Sequence, residues 1–221
     1  MDRIFGMDSG VMRFLTVVAN LAILNLLFIV CSLPVVTLGA SLTALNYVVL
    51  QMIRQEDTYI ARSFFKGFCR NFRQATGIWL VLLAAGLFLG LDYWSVTQYF
   101  SGAMRTVMLV GLTVLTILWV MIFLYVFALQ ARYENTVKQT MKNALFMALL
   151  RLPYTAALVL VNVFLPLLPI LQPQTAPMVL FIWLVCGFAA VAYVGGLLVN
   201  RAFLKTFEEE RTVQESSREG E

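Results

Sequence analysis

The sequence contains no histidine and has few charged residues, which make up 13% of its 221 positions. Ordinary soluble domains carry about 25% charged residues. The lack of histidine removes the commonest metal ligand and the commonest general base. Cysteine is also scarce, and the three that occur, Cys31, Cys69 and Cys186, lie far apart. The sequence therefore predicts no disulfide framework, no metal site and no cofactor.

Hydrophobic residues, by contrast, make up 61% of the chain, and its mean hydropathy is +0.83. Aspartate, glutamate, lysine and arginine are all missing from four long tracts: Phe14–Ile53, Gln74–Leu91, Thr106–Ala131 and Leu152–Asn200. These tracts hold 133 residues, and one crossing of a bilayer needs about 20. The sequence therefore predicts an all-α, polytopic membrane bundle of about six transmembrane helices, with short cytoplasmic amphipathic helices.

Two proline-containing breaks divide the longest tracts into pairs of spans. Ser32-Leu33-Pro34 interrupts the first tract, because proline lacks an amide hydrogen and disfavours helix in the residue before it. This predicts spans over about Phe14–Leu33 and Leu38–Ile53. The second is short, so five spans plus a re-entrant segment remain an alternative. A turn at 172–177 divides the last tract in the same way.

The basic residues favour an even number of spans. With six, 15 of the 16 lysines and arginines lie on the same side as both termini, and Arg105 alone lies on the other. Lysine and arginine collect in cytoplasmic loops, so we predict that both termini are cytoplasmic. We assign residues 1–205 to a single integral membrane domain and residues 206–221 to a charged cytoplasmic tail. The net charge of +4 does not indicate nucleic-acid binding, since no aqueous domain is present to carry a basic surface.

The segment at 58–73 has the pattern of a basic amphipathic helix. At 100° per residue its apolar residues fall on one face and its cations on the opposite face. Such a helix suits the inner membrane interface, where anionic headgroups attract the cations. It serves either as a juxtamembrane anchor or as a docking surface for a partner. The candidate partner or lipid interface comprises Arg62, Phe64, Phe65, Lys66, Phe68, Arg70 and Arg73.

A second helical segment is predicted at 136–151. Its apolar stripe, at helical spacing, consists of Val137, Met141, Ala144, Leu145 and Ala148. The segment lacks the Glu-Ala-Ala signature with a downstream glycine that marks the coupling helices of importer permeases. The sequence therefore does not favour a true coupling helix here.

Polar side chains inside the apolar tracts and at their ends are mostly neutral. The candidates for an intramembrane polar path are Asn20, Asn25, Asn46, Asn162 and Asp92. Interhelical hydrogen bonds account for the asparagines, and a path for a polar solute is the alternative. Asp92 lies at the outer end of the third span, where an interfacial cap is a simpler role than a coupling carboxylate. The sequence therefore argues against ion-coupled transport.

Catalytic patterns are missing as well. The sequence has no Gly-x-Ser-x-Gly nucleophile turn and no phosphate-binding loop. We therefore predict that the chain has no catalytic residues and is not an enzyme.

The first hairpin contains the most specific of several short motifs, which runs Cys31-Ser32-Leu33-Pro34-Val35-Val36-Thr37-Leu38-Gly39-Ala40-Ser41. The others are Ser9-Gly10 with Arg13-Phe14, Asn20-Leu21, Asn25-Leu26-Leu27, Glu134-Asn135-Thr136 and Lys142-Asn143-Ala144. With these motifs the chain resembles, from residue 3 to about residue 205, the YesL-like family of small integral membrane proteins from Gram-positive bacteria.

The resemblance carries over no catalytic or binding residues, because none are agreed for that family. Its members are often encoded beside carbohydrate importers and polysaccharide-degrading enzymes. The resemblance therefore implies a place in the bacterial cytoplasmic membrane and an accessory or regulatory role in carbohydrate uptake. That role rests on association, not on a site.

The sequence does not distinguish between two functions. In the first, the chain is an accessory component whose partners, besides the lipid bilayer, are permease or ATPase subunits of an ATP-driven carbohydrate importer. In the second, it is a small transporter or channel for a neutral polar solute, assembled as a homo-oligomer and lined by the asparagines.

Overall fold

A computed structural model of the chain describes residues 10–56, 59–133, 135–164 and 176–201. These residues form helices and short connections, with no strand among them. Several sequence predictions lie outside the described residues: Thr58 of the basic segment, Glu134, most of the turn at 172–177, and the tail at 206–221.

The helices follow one another with short connections. The first four are α1 (Gly10–Ser32), α2 (Leu38–Ile53), α3 (Ile60–Tyr99) and α4 (Gly102–Arg132). They are followed by α5 (Val137–Leu150) and α6 (Leu152–Val159), which continues into a π-helical turn, Leu160–Phe164. The last helix comprises α7 (Ala176–Ile182), a second π-helical turn (Trp183–Gly187) and α8 (188–201).

Five of these helices are long and apolar enough to cross a membrane: α1, α2 with its preceding turn, α3, α4 and the last helix. A sixth is counted if α5 and α6, which meet at a bend of 101°, form one broken span. The prediction of an all-α, polytopic membrane bundle is confirmed.

The break between α1 and α2 has the predicted cause. The helix stops at Ser32, before Pro34, and a short 3-10 turn over Val35–Thr37 leads into α2. The Thr37 hydroxyl donates hydrogen bonds to the carbonyl oxygens of Cys31 (2.6 Å) and Pro34 (2.7 Å), which closes the turn. Helix α2 then packs back along α1.

Helix α3 differs from the sequence prediction. The basic segment is helical, as predicted, but it is not a separate helix lying in the interface. It forms the first part of a continuous helix of 40 residues that also contains the span predicted at Gln74–Leu91. At 1.5 Å per residue this helix is about 60 Å long. The change from polar to apolar composition near Arg73 does not end it, because no proline interrupts Ile60–Tyr99.

The two halves of α3 have different neighbours. The first half packs on α2: a Cβ on Gly39 would lie 2.5 Å from the carbonyl oxygen of Ala75 and would also meet Trp79. The second half pairs with α4, where the Tyr93 hydroxyl lies 3.1 Å from that of Thr113. The α3–α4 hairpin therefore extends beyond the end at which α2 begins.

Contacts with α2 and α4 fix the position of the last helix. The Arg132 guanidinium donates to the Asn200 side-chain oxygen (3.3 Å), and a Cβ on Gly196 would lie 2.7 Å from Val49 Cγ1. The last helix therefore ends where α2 and α4 end, which we call the basic end. Arg201, the last described residue, therefore also lies at the basic end.

Two buried clusters hold the bundle together. One joins α1, α2 and the start of α3 through residues such as Leu24, Val48 and Phe64. The other joins α3, α4 and α5 through residues such as Tyr125 and Ala148. In the predicted α5 stripe, Ala144 and Ala148 are fully buried and the other three members are partly buried.

Candidate functional site

The basic face of α3 is exposed at the basic end of the bundle. Its members, Arg62, Lys66, Arg70 and Arg73, all have exposed side chains on one side of a rigid helix. The structure thus brings together the four cations that the sequence placed on a common face.

The apolar face of this segment mostly packs against the bundle. Phe64 is fully buried in the cluster with α1 and α2, and it stacks on Phe68 with ring centroids 6.3 Å apart. Phe65 is 48% exposed and Phe72 is 37% exposed. The phenylalanines therefore mainly fix the helix to its neighbours, and only part of the face is available to lipid or a partner.

Arg70 also borders a small polar cavity of about 170 Å³ at the basic end. The cavity is lined in addition by Arg54, which follows α2, and by Arg132, the last residue of α4. Glu56 lines it too and lies 3.8 Å from the Arg54 guanidinium. Three arginines, one within α3 and the others at the ends of α2 and α4, therefore line one cavity.

A hydrogen-bonded network beneath this cavity was not predicted from the sequence. Buried Gln130 of α4 donates to the side-chain oxygen of Asn71 on α3 (3.3 Å) and accepts from the Thr140 hydroxyl on α5 (3.3 Å). Gln74 of α3 donates to the backbone oxygen of Asn135. The network joins three helices beside the basic face. In the sequence, this network is indicated by Gln130, a polar residue near the end of an otherwise apolar tract.

Asn25 binds the last helix at its π-helical turn. Its side chain is fully buried and donates to the carbonyl oxygens of Trp183 (3.1 Å) and Leu184 (2.7 Å). Its oxygen accepts from the backbone N–H of Ala189 (3.1 Å). Every polar atom of the Asn25 amide is thus engaged in holding two helices together.

Asn46 and Asn162 line a second, larger cavity of about 590 Å³ between α1, α2, α4, α6 and the last helix. Asn20 is partly buried on α1 and does not line it. Asp92 lies on the α3–α4 hairpin, also away from it. The structure therefore brings two of the five predicted polar-path residues into one cavity and leaves the other three elsewhere.

The walls of this larger cavity are mainly aliphatic and aromatic. Trp183 and Phe188 of the last helix are both wall residues, and their rings pack edge to face with centroids 5.0 Å apart. Ser32, at the end of α1, contributes a third polar side chain. No charged residue lines this cavity in the described part of the chain.

Comparison with known protein families gives a match over the first part of the chain. A protein-family model described as "Protein of unknown function, DUF624" matches residues 21–93, a region that runs from α1 through most of α3. The match supports membership of an uncharacterised family over about a third of the chain. No curated protein and no solved structure matches the chain.

Proposed function

We propose that the chain is an accessory or regulatory component of carbohydrate uptake, docked on permease or ATPase subunits of an ATP-driven importer. The proposal places it in the bacterial cytoplasmic membrane, with both termini in the cytoplasm and no catalytic activity of its own. The importer and its substrate class rest on the resemblance to the YesL-like family.

The observation that carries the docking role is the exposed basic face of α3. A helix that is continuous with a membrane span and packed through Phe64 displays its cations in a fixed arrangement. A helix that is already folded avoids the entropy cost of ordering its backbone on binding, and its clustered cations favour a partner of opposite charge. We therefore expect the importer surface that meets this face to be acidic.

The test is recovery of importer subunits with the tagged protein after crosslinking in its own membranes and extraction in mild detergent. The variant Arg62→Glu with Lys66→Glu reverses two exposed cations of the basic face. If each exposed ion pair contributes about 1 kcal/mol, reversing both should lower partner recovery by at least about tenfold.

The matched control is Lys138→Glu with Lys142→Glu, which reverses two exposed cations on α5 at the basic end. Both variants must keep the original topology, checked with a reporter at the C-terminus, because loop cations also set orientation. Equal losses from the two variants, or recovery of the protein without importer subunits, would refute the docking role.

A second candidate is a small transporter or channel for a neutral polar solute. The observation that favours it is that Asn46 and Asn162 line one large intramembrane cavity. Purified protein in proteoliposomes should then release a trapped neutral solute, and Asn46→Leu should abolish that release without unfolding. Absence of flux from the unmodified protein would eliminate this candidate.

A further inference from the structure

The 590 Å³ cavity has the size and lining of a ligand site. Its volume falls within the range of about 300 to 1,000 Å³ that is usual for small-molecule pockets. Such pockets are lined mostly by apolar side chains with a few polar groups that fix the ligand's orientation. The walls here follow that pattern, with Ser32, Asn46 and Asn162 among aliphatic and aromatic residues.

The three polar side chains retain hydrogen-bonding capacity. Asn46 and Asn162 each donate one bond to their own helix, to the carbonyl oxygens of Leu42 (2.8 Å) and Leu158 (2.9 Å). Their side-chain oxygens accept no hydrogen bond from the described residues. The Ser32 hydroxyl is buried and has no partner there either. Two acceptors and one hydroxyl therefore face an apolar space.

The cavity communicates with the outside of the bundle through its walls. Leu33 and Phe188 both line it, yet they are 75% and 41% exposed. Apart from α6, every helix that contributes to the walls is a candidate span, so the medium outside is the bilayer. A ligand that enters from that side must itself be soluble in lipid.

Two π-helical turns adjoin the same space. Asn162 lies in the first of them and Trp183 in the second, and both residues line the cavity. Such turns interrupt regular helical hydrogen bonding and occur often at functional sites. In membranes, irregular backbone is tolerated where it borders protein or a cavity.

We propose that this cavity binds a neutral amphiphile, a lipid-soluble molecule with one long apolar chain and a terminal hydroxyl group. The chain lies against the wall formed by α1 and the last helix. The hydroxyl donates to the Asn46 or Asn162 oxygen and accepts from the Ser32 hydroxyl. This binding is distinct from docking on an importer and does not depend on it.

The lining argues against two other ligand classes. A carboxylate or phosphate would lack a countercharge in the described walls, and uncompensated charge at membrane depth is costly. A sugar would leave most of its hydroxyls facing apolar side chains, where unpaired polar groups are destabilising. An amphiphile with one hydroxyl pairs with Ser32 and with one of the two asparagine oxygens, and its chain fills the apolar remainder.

The experiment measures quenching of Trp183 fluorescence by vicinally dibrominated stearyl alcohol, with the purified full-length protein in phospholipid nanodiscs. Competitors that share one chain but differ in headgroup, namely oleyl alcohol, methyl oleate and oleate, then report what the polar atoms recognise. Saturable quenching should be lost in Trp183→Phe. Oleyl alcohol should compete at about 3- to 10-fold lower concentration than methyl oleate, which has no hydrogen to donate.

A variant that fills the cavity locates the site. Ala192 lines the cavity, so Ala192→Phe should abolish saturable quenching, whereas Ala84→Phe, the same change at an exposed position of α3, should leave it intact. The headgroup comparison uses the unmodified protein, so it tests the proposal even if Ala192→Phe does not fold. Quenching that does not saturate would overturn the proposal, and so would competition that does not depend on the headgroup. Displacement of the alcohol by glucose would also overturn it, in favour of a polar solute site.

Discussion

Replacing Asn25 with leucine should loosen the last helix at the turn where its α-helical pattern is interrupted. Leucine has the same branched arrangement of side-chain heavy atoms but forms no hydrogen bonds, so Asn25→Leu removes the contacts with Trp183, Leu184 and Ala189. The site is completely buried, and neither water nor lipid can replace the lost partners.

The loss of stability in Asn25→Leu can be estimated from the hydrogen bonds that it removes. Interhelical hydrogen bonds in membrane proteins contribute about 0.6 kcal/mol each, so the three bonds together are worth about 2 kcal/mol. The buried N–H of Ala189 also loses its acceptor, which adds a penalty of about 1 to 3 kcal/mol. We expect Asn25→Leu to lower the free energy of unfolding by roughly 3 to 5 kcal/mol.

The assay is equilibrium unfolding in mixed micelles of mild detergent and dodecyl sulfate, followed by tryptophan fluorescence. Asn20→Leu is the matched control, because Asn20 lies on the same helix, is only partly buried and forms no side-chain hydrogen bond with the described residues. Its effect should stay below about 0.5 kcal/mol. If both variants unfold at the same detergent ratio, the bonds to the π-helical turn do not stabilise the bundle and the reasoning is wrong.

Two further predictions concern packing near α3. Gly39→Ala should destabilise the protein by about 2 kcal/mol or more in the same micelle unfolding assay, since the new methyl group would overlap the backbone at Ala75. Gly90→Ala, with nothing within 4 Å, should be neutral or stabilising. Gln130→Leu should speed hydrogen exchange of the α5 amides, because it breaks the links from α4 to α3 and α5, whereas Gln139→Leu, at an exposed position, should not. Equal exchange in both glutamine variants would show that the network does not hold α5.

The helix boundaries were largely predictable because local chemistry sets them. Helix α1 ends before Pro34 because proline lacks an amide hydrogen and disfavours helix in the residue before it. Helix α2 has the bounds that its apolar tract predicts, Leu38–Ile53. The continuity of α3 was not predicted. A change of composition near Arg73 suggests a boundary, but a helix ends only where its hydrogen bonding or sterics fail.

The candidate sites were less predictable because they depend on tertiary contacts. The basic face follows from periodicity and is present in the structure. The larger cavity was not foreseen, since its walls come from five helices that lie far apart in the sequence. The role of Asn25 depends on a π-helical turn more than 150 residues away, and no local pattern predicts such a turn.

The length of α3 has a consequence for how the bundle sits in the bilayer. Its first half runs beside α2, and its second half continues with α4 past the point where α2 begins. The apolar belt on α1 and α2 is therefore displaced along the bundle axis from the belt on α3 and α4. A flat hydrocarbon layer about 30 Å thick covers both belts only if the bundle leans. Leaning lowers the basic end of α3 toward the headgroups, so a helix that is part of a span also meets the membrane surface.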